Sequence, residues 1–482
     1  MATKILHLPP PSEAAGLDRP AIWRKTFGPA SAGAFRGAFI MGPQVDPVAS
    51  DIVVPKEADV VIVGGGIVGT TAALYLAERG LKPVLLEKGH IAGEQSSRNW
   101  GWVRQADRDP REFDLIREAM RLWREMGAHG VGDTGFRETG IFFAARRARE
   151  IDGYRNWVKA AAGHGISAEV IEGEAVKAVM KDDLSPPPAG LWCASDGRAE
   201  PQKAAPAIAL AARAKGAVIL TDCAARGLET AAGEIVSVVT ERGTIRTKRV
   251  VLAAGAWSRR FLKDLGLTLP QLKMRSTVSR TAPVTGGPDA GIWDDVIGIR
   301  KRADGGLTVA NGIANVAALT PDHFRFALDF LPALASDWKH LSLGFGERFF
   351  RDIDDWPTRP LDKVSPYEKT RVLDPKPDLR FLRRTMGELK RRFPPFREAR
   401  IVQAWAGFID VTPDVVPVIS ETESLAGLVV ATGFSGHGFG IGPGAGWLVA
   451  DLVTGATPFV DPRHFRLSRF SDGSKPKPAS RL

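Results

Sequence analysis

A short unit between residues 59 and 87 restricts this 482-residue chain more than any other feature. Asp59-Val-Val-Ile-Val63 is a β-branched run suited to a parallel strand buried on both faces. Gly64-Gly-Gly-Ile-Val-Gly69 follows, then an Ala- and Leu-rich helix over 70–79 that Gly80 ends. A second strand, 82–86, runs directly into Glu87. Glycines at this turn let the backbone approach a pyrophosphate, whose charge meets the helix N-terminus, and the acid is placed to accept hydrogen bonds from a ribose diol. Strand, turn, helix, strand and acid in that order specify a dinucleotide site. Its expected binding residues are Gly64, Gly66, Ile67, Val68, Gly69, Glu87 and Lys88. Nothing in this unit alone separates NAD from FAD.

The rest of the chain supplies a host for the unit. Hydrophobic residues make up 44% and charged residues 25%, a globular balance that supports a large core. Residues 1–57 read as an N-terminal extension rich in Pro, Ala and Gly, without the apolar segment of a signal peptide. An amphipathic helix is expected over 109–126, with Phe113, Ile116, Met120 and Trp123 on one face. Pro186-Pro187-Pro188 marks a loop, and an Ala-rich helix over 200–215 carries Pro201 in its first turn. Strands follow at 218–220, 235–240 and 249–253. Beyond 271, short strands (274–281, 297–302, 307–310) alternate with helical stretches (321–334, 380–392). The expected class is therefore α/β: a Rossmann-like binding domain (58–108, 195–270 and 401–465) with an inserted mixed-sheet cap domain for the substrate (109–194 and 271–400), and a tail at 466–482.

Composition also excludes several functions. A net charge of +10 could favour nucleic acid, but the densest basic runs, 380–384 and 390–400, alternate with Leu, Phe and Pro and read as solvated helix faces. Two cysteines, Cys193 and Cys223, offer neither a disulfide framework nor a multi-cysteine metal site, so no metal is expected and a reducing cytoplasm is the default location. The stretch 424–450 lacks Asp, Glu, Lys and Arg, yet its frequent glycines, Pro443 and His437 argue against a membrane-spanning helix.

Three later segments discriminate between the dinucleotides: Glu94-Gln-Ser-Ser-Arg-Asn-Trp-Gly-Trp-Val-Arg104, Val250-Val-Leu-Ala-Ala-Gly-Ala-Trp-Ser258, and Ala431-Thr-Gly-Phe-Ser-Gly-His-Gly-Phe-Gly-Ile-Gly-Pro-Gly444, which leads into a helix over 446–453. On these residues the chain resembles the D-amino-acid oxidase superfamily of FAD-dependent amine oxidases, which includes glycine, sarcosine and iminodiacetate oxidases. The resemblance extends over about 58–460 and is most specific in the Gly-Phe-Ser-Gly-His-Gly-Phe core. It implies FAD. Ser96, Ser97, Arg98 and Asn99 would hold flavin and pyrophosphate, with Trp100, Gly101 and Trp102 beside them. Ala225 would meet the adenine through its backbone, and Ala254, Gly255, Trp257 and Gly407 would flank the cofactor. Gly436, His437 and Gly438 would aim N–H groups at the flavin N1–C2=O edge, where negative charge develops on reduction; a plain helix-start role for His437 stays open. No cysteine stands near 404–414, where sarcosine oxidase attaches its flavin, so noncovalent FAD is expected.

On the substrate side the chain departs from the pattern. Ile409 stands where the family often has a carboxylate-clamping arginine, Gly440 where sarcosine oxidase has a lysine, and Thr308 near the lysine that helps flavin react with oxygen. The remaining substrate-side candidates are Arg104, which resembles an arginine that grips carboxylate, Lys273 and Arg275 on the first cap strand, and His437. Trp100, Trp102 and Trp405 either wall an apolar pocket or serve as core aromatics. The resemblance implies oxidation of a small, anionic amine or N-substituted amino acid of the sarcosine or iminodiacetate kind. Hydride would pass from a neutral amine's α carbon to flavin N5, water would hydrolyse the imine, and O2 would be the acceptor. A dehydrogenase of the same fold serving a quinone or electron-transfer protein, or a flavin-binding subunit of a larger complex, remains alongside.

Overall fold

Strand β1 (Val60–Val63), buried on both faces, lies at the centre of a parallel sheet. This computed structural model describes residues 39–332, 341–344, 352–353, 356–474 and 476–479. Along the chain follow helix α1 (Ile67–Glu78), strand β2 (Pro83–Leu86), helix α2 (Phe113–Glu125), helix α3 (Pro201–Ala214) and strands β3 (Val218–Leu220) and β4 (Val250–Leu252). Then come β5 (Leu272–Thr281), β6 (Leu307–Ala318), helix α4 (Leu379–Arg392), β7 (Ile401–Val411), β8 (Val418–Glu421), β9 (Leu428–Thr432) and helix α5 (Gly438–Thr454). The first sheet has the order β3-β2-β1-β4-β9-β8, parallel except for the β8–β9 pair.

Alternation divides the core cleanly, because successive side chains of a strand point to opposite faces. Val60 and Ile62 face α1, α2, α3 and α5, in one cluster with Leu74, Leu122, Ile208 and Leu448. Val61 and Val63 face the antiparallel ribbon formed by Ala225–Ala231, Glu234–Thr240 and Gly243–Arg246, in a second cluster with Val238, Ile245 and Leu262. Helix α5 begins well before the expected position at 446. Its glycines lower helix propensity, but contact requires them: a Cβ at Gly446 would lie 2.3 Å from Thr71 Oγ1, and one at Gly444 would lie 2.7 Å from the Leu115 carbonyl oxygen. Close approach to α1 and α2 outweighs propensity here.

A second sheet has ten strands. Its order among the described residues is Phe39–Ile40, β7, β5, β6, Gly298–Lys301, Gly291–Trp293, Ile141–Ala145, Ala189–Cys193 and Glu169–Glu172, with Leu341–Gly344 paired to β6. Helix α4 lays Leu382, Met386 and Leu389 against Phe142, Ile299 and Val309 of this sheet. Two elements sit differently from the expected domain division. Strand β7 pairs along its length with β5 and so belongs to the larger sheet. Helix α2 packs in the core of the first sheet, because its apolar stripe faces α5. Of the helix expected over 321–334, Pro321–Arg325 is helical, a turn follows over 326–330 and helix resumes at 331–332; residues 333–334, like 1–38 of the extension and 480–482 of the tail, lie outside the described residues. No helix among the described residues is long and apolar enough to cross a membrane.

Candidate active site

One elongated cavity runs from the glycine turn after β1, between the two sheets, to the start of α5. At the turn end Gly64 adopts φ +114°, and a Cβ there would lie 2.4 Å from the Ala253 carbonyl oxygen. The turn thus presses against the end of β4 with no room for a side chain. Helix α1 has no acidic residue in its first turn, so no side chain of the helix itself opposes an anion at its N-terminus. Ile67 N–H donates to Ser96 Oγ at 2.8 Å, which ties the Glu94–Arg104 loop to the turn. Glu87 accepts from Gly65 N–H at 2.8 Å and Gly89 N–H at 2.7 Å, and burial raises its pKa. Lys88 Nζ lies 2.7 Å from Glu94 Oε1 and 4.6 Å from the Trp257 ring, whose indole N–H also donates to Glu94. Val68, Ala225, Ala254 and Gly255 line the same half. Glycine turn, acid-free helix start and paired acid fit an adenine dinucleotide.

Toward the other end the lining passes through Arg98, Asn99, Trp100, Trp102 and Gly407 to Gly436, His437 and Gly438. Arg98 spends its donors within the protein, on the Gly93 and Ala406 carbonyls and on Asp374. Asp410 organises this end. It accepts from Gly433 N–H at 2.8 Å and Thr432 Oγ1 at 3.2 Å, and burial pushes its carboxyl up to about 6. Gln95 bridges Asp410 Oδ1 (2.9 Å) and Ala256 N–H (3.3 Å).

Six expected positions lie off the cavity lining. Side chains alternate along β5, so Met274 and Ser276 face the cavity while Lys273 and Arg275 face away. The Lys273 ammonium sits 5.4 Å from the Trp257 ring, and Arg275 Nη1 donates to the Lys376 carbonyl at 3.3 Å. Trp405 is packed in the core against Val278 and Ala310, its indole N–H donating to the Arg98 carbonyl at 3.0 Å. Ser97 is buried and bonds the Glu94 carbonyl. Gly69 makes room for the Gly64 carbonyl, and Gly101 for the Arg300 guanidinium. Thr308 is also off the lining, and so are both cysteines.

The end of the cavity away from the glycine turn joins cations to aromatic rings. Trp100, Trp102, Phe143 and Trp293 contact one another in series, with centroids 5.0, 5.9 and 5.9 Å apart. The Arg104 guanidinium stands 5.1 Å from the Phe143 ring and donates to the Ala106 and Asp107 carbonyls. Arg108, buried and donating from Nη2 to the His437 carbonyl at 3.2 Å, lies beside it. Burial and the nearby Arg104 charge lower the Arg108 pKa to about 9. The sequence motifs missed Arg108, Phe143, Trp293 and Asp410. Arg108 follows the Glu94–Arg104 segment by only four residues, and Phe143 sits in an apolar strand with no distinguishing mark.

This cavity geometry coincides with a family match: the model for the DAO family, FAD dependent oxidoreductases, covers residues 59–452. The chain belongs to that family. It is an FAD-dependent oxidoreductase of the amine and amino-acid type, and its architecture is that of DAO neighbours. It is 34% identical to the L-amino acid deaminase of Proteus myxofaciens, solved in complex with anthranilate, with a TM-score of 0.86 over 90% of this chain and 98% of that one. It is 26% identical to sarcosine oxidase subunit beta of Arthrobacter sp, over 87% of this chain and 92% of the relative. Mitochondrial sarcosine dehydrogenase of Mus musculus is 24% identical over 89% of this chain but only 43% of its own length, so the chain spans less than half of that relative.

Proposed function

We propose that this DAO-family member oxidises the C–N bond of an amino acid whose carboxylate meets Arg104 and whose side chain is large and apolar. The observation that carries this reading is the pairing of Arg104 with a wall of Trp102, Phe143 and Trp293 in one cavity. A sarcosine-sized molecule leaves those rings unfilled, whereas each apolar Å² removed from water contributes roughly 25 cal/mol. The anthranilate bound by the Proteus deaminase, itself an aromatic carboxylate, supports the same choice.

Bound FAD, held without a covalent link to Cys193 or Cys223, supplies the two-electron acceptor for the substrate C–H bond. The protein's share is geometric and electrostatic. Arg104 fixes one end of the substrate, the rings exclude water, and the start of α5 offers positive potential where negative charge collects. Hydrolysis of the released imine gives a 2-oxo acid and ammonia. An anaerobic titration tests the reading. Phenylalanine or leucine is expected to bleach the flavin at far lower concentration than sarcosine or iminodiacetate, and the reverse order overturns it. Arg104→Ala is expected to raise KM for an anionic substrate by roughly 10- to 100-fold, the loss of a charge-assisted bond of roughly 1.5–3 kcal/mol, while flavin content holds. An unchanged KM removes Arg104 from the carboxylate site.

One observation favours a dehydrogenase over an oxidase. Among the described residues Lys88 is the only lysine on the cavity lining, and it is engaged with Glu94 at the nucleotide end. Reoxidation by an artificial quinone-type acceptor is therefore expected to outpace oxygen uptake; rapid peroxide release restores O2 as the acceptor.

A further inference from the structure

Behind the substrate end of the cavity lies a buried acid that the proposed reaction has not yet used. Glu112, at the close of the Pro110–Glu112 turn, is 0% exposed, and neither carboxyl oxygen has a hydrogen-bond partner among the described residues. Its Oε2 lies 3.9 Å from Arg108 Nη1 and 3.9 Å from His437 Nδ1. Those groups are also incompletely satisfied: His437 Nδ1, Arg108 Nε and Arg108 Nη1 have no hydrogen-bond partner among the described residues. Leaving so many buried polar atoms unpaired is costly, and a shift of about 1 Å closes both Glu112 distances to ordinary hydrogen bonds. Arg108 and His437 line the cavity, but Glu112 does not. The carboxylate therefore communicates with the cavity only through the imidazole and the guanidinium.

An amino acid arrives with its nitrogen as an ammonium group, which must shed a proton before the C–N bond can be oxidised. We propose that Glu112 receives that proton through His437. An ammonium N–H bond breaks and its electron pair stays on the amine. The proton bonds to the cavity-side nitrogen of His437, and the Nδ1 proton moves to Glu112 Oε2. The imidazole ends neutral in its other tautomer, Glu112 ends as a neutral acid, and no oxidant is consumed. Glu112 is thus a positioning residue that acts through His437, and the inference rests on the amino-acid reading above.

The surroundings suit a relay. Burial, with Arg108 and Arg104 nearby, holds the His437 pKa well below the usual histidine range, so the ring passes a proton on rather than keeping it. Burial pushes Glu112 up to about 7, with Asp109 acting in the same direction and Arg108, Arg104 and Arg111 opposing. Above that pH the acid is ionised and free to accept.

Calorimetric binding to the FAD-loaded protein at pH 8 tests the relay. The ligand is α-methylphenylalanine, which lacks an α hydrogen and cannot be oxidised, and buffers of different ionisation enthalpy count the protons released. In the wild type the proton stays inside and net release is near zero. Glu112→Gln is expected to release about one proton to solvent, and His437→Asn, which breaks the relay with Glu112 intact, is expected to match it. Equal proton counts in wild type and both variants overturn the relay. Failure of α-methylphenylalanine to bind the wild type instead overturns the amino-acid reading, and the relay with it. The pH profile of anaerobic flavin bleaching gives a second readout: loss of the relay moves the profile to higher pH, whereas a uniform slowing at every pH indicates a structural role only.

Discussion

Gly64→Val is expected to yield a folded protein that purifies without the yellow absorbance of flavin. The new Cβ would stand 2.4 Å from the Ala253 carbonyl oxygen and 2.8 Å from its carbon, both backbone atoms at the end of β4 that cannot swing aside. Valine must also hold φ near +114°, a region L side chains rarely adopt, at a cost of roughly 1–3 kcal/mol. The turn has to move, and with it goes the bond from Gly64 N–H to the Leu86 carbonyl that joins the turn to β2. Domain stability of roughly 5–15 kcal/mol survives a local loss of this size, but a pyrophosphate seat displaced by half an ångström or more does not. The ratio of flavin to protein absorbance, beside a far-UV circular dichroism spectrum, measures the effect. Gly80→Ala is the control: it has φ +81° but nothing within 4 Å of its Cβ, so it carries similar backbone strain and should keep its flavin. Wild-type flavin content in Gly64→Val would remove this turn from the cofactor site.

The nucleotide half was readable because its physics is local. The turn, Glu87 and the strands around them fall within one short span, and each residue type answers a need of the ligand. Ser96, expected from the family resemblance, is tied to the same turn, its hydroxyl accepting from Ile67 N–H. The aromatic half of the cavity depends on pairings far apart in sequence. Whether Lys273 or Met274 faces the cavity is set by the register of β5 against β7, where Met274 lies opposite Ile409, and a one-residue change of register exchanges the two faces. Phe143 and Trp293 meet only because Ile141–Ala145 pairs with Gly291–Trp293 across well over a hundred residues. Trp405 looked like Trp102 in sequence, and only the packing of β7 against Trp100 sends it into the core. The start of α5 was legible as a glycine-rich turn with helix only from 446, because contact with Thr71 and Leu115 overrides what glycine normally does.

Arg108→Leu is the second change with a large expected effect, and it probes the buried pair directly. Arg108 Nη1 is 3.9 Å from Glu112 Oε2, and both side chains are almost completely buried. Removing the guanidinium leaves the carboxylate in a dry site without its nearest cation, and breaking a buried pair from one side costs roughly 3–5 kcal/mol. The double variant Arg108→Leu/Glu112→Leu removes the stranded charge and fills the volume with apolar atoms, so most of the loss should return. Urea midpoints of the two variants and the wild type measure this, and the pH at which they are taken matters. Glu112 binds its proton more tightly folded than unfolded, about 7 against the usual range near 4.5. Its stabilising proton is therefore fully present in both states below that range. As pH rises the unfolded chain ionises first, and stability is lost until the folded group ionises too. Without Arg108 the folded acid holds its proton to still higher pH, so the window of loss extends above about 7. The single variant should accordingly lie close to the double variant at pH 4 and fall well below it at pH 8, while the double variant shows none of this slope. Coincident midpoints at pH 8 would mean that Arg108 does not sustain the charge on Glu112, and the two side chains would then be neighbours without coupling.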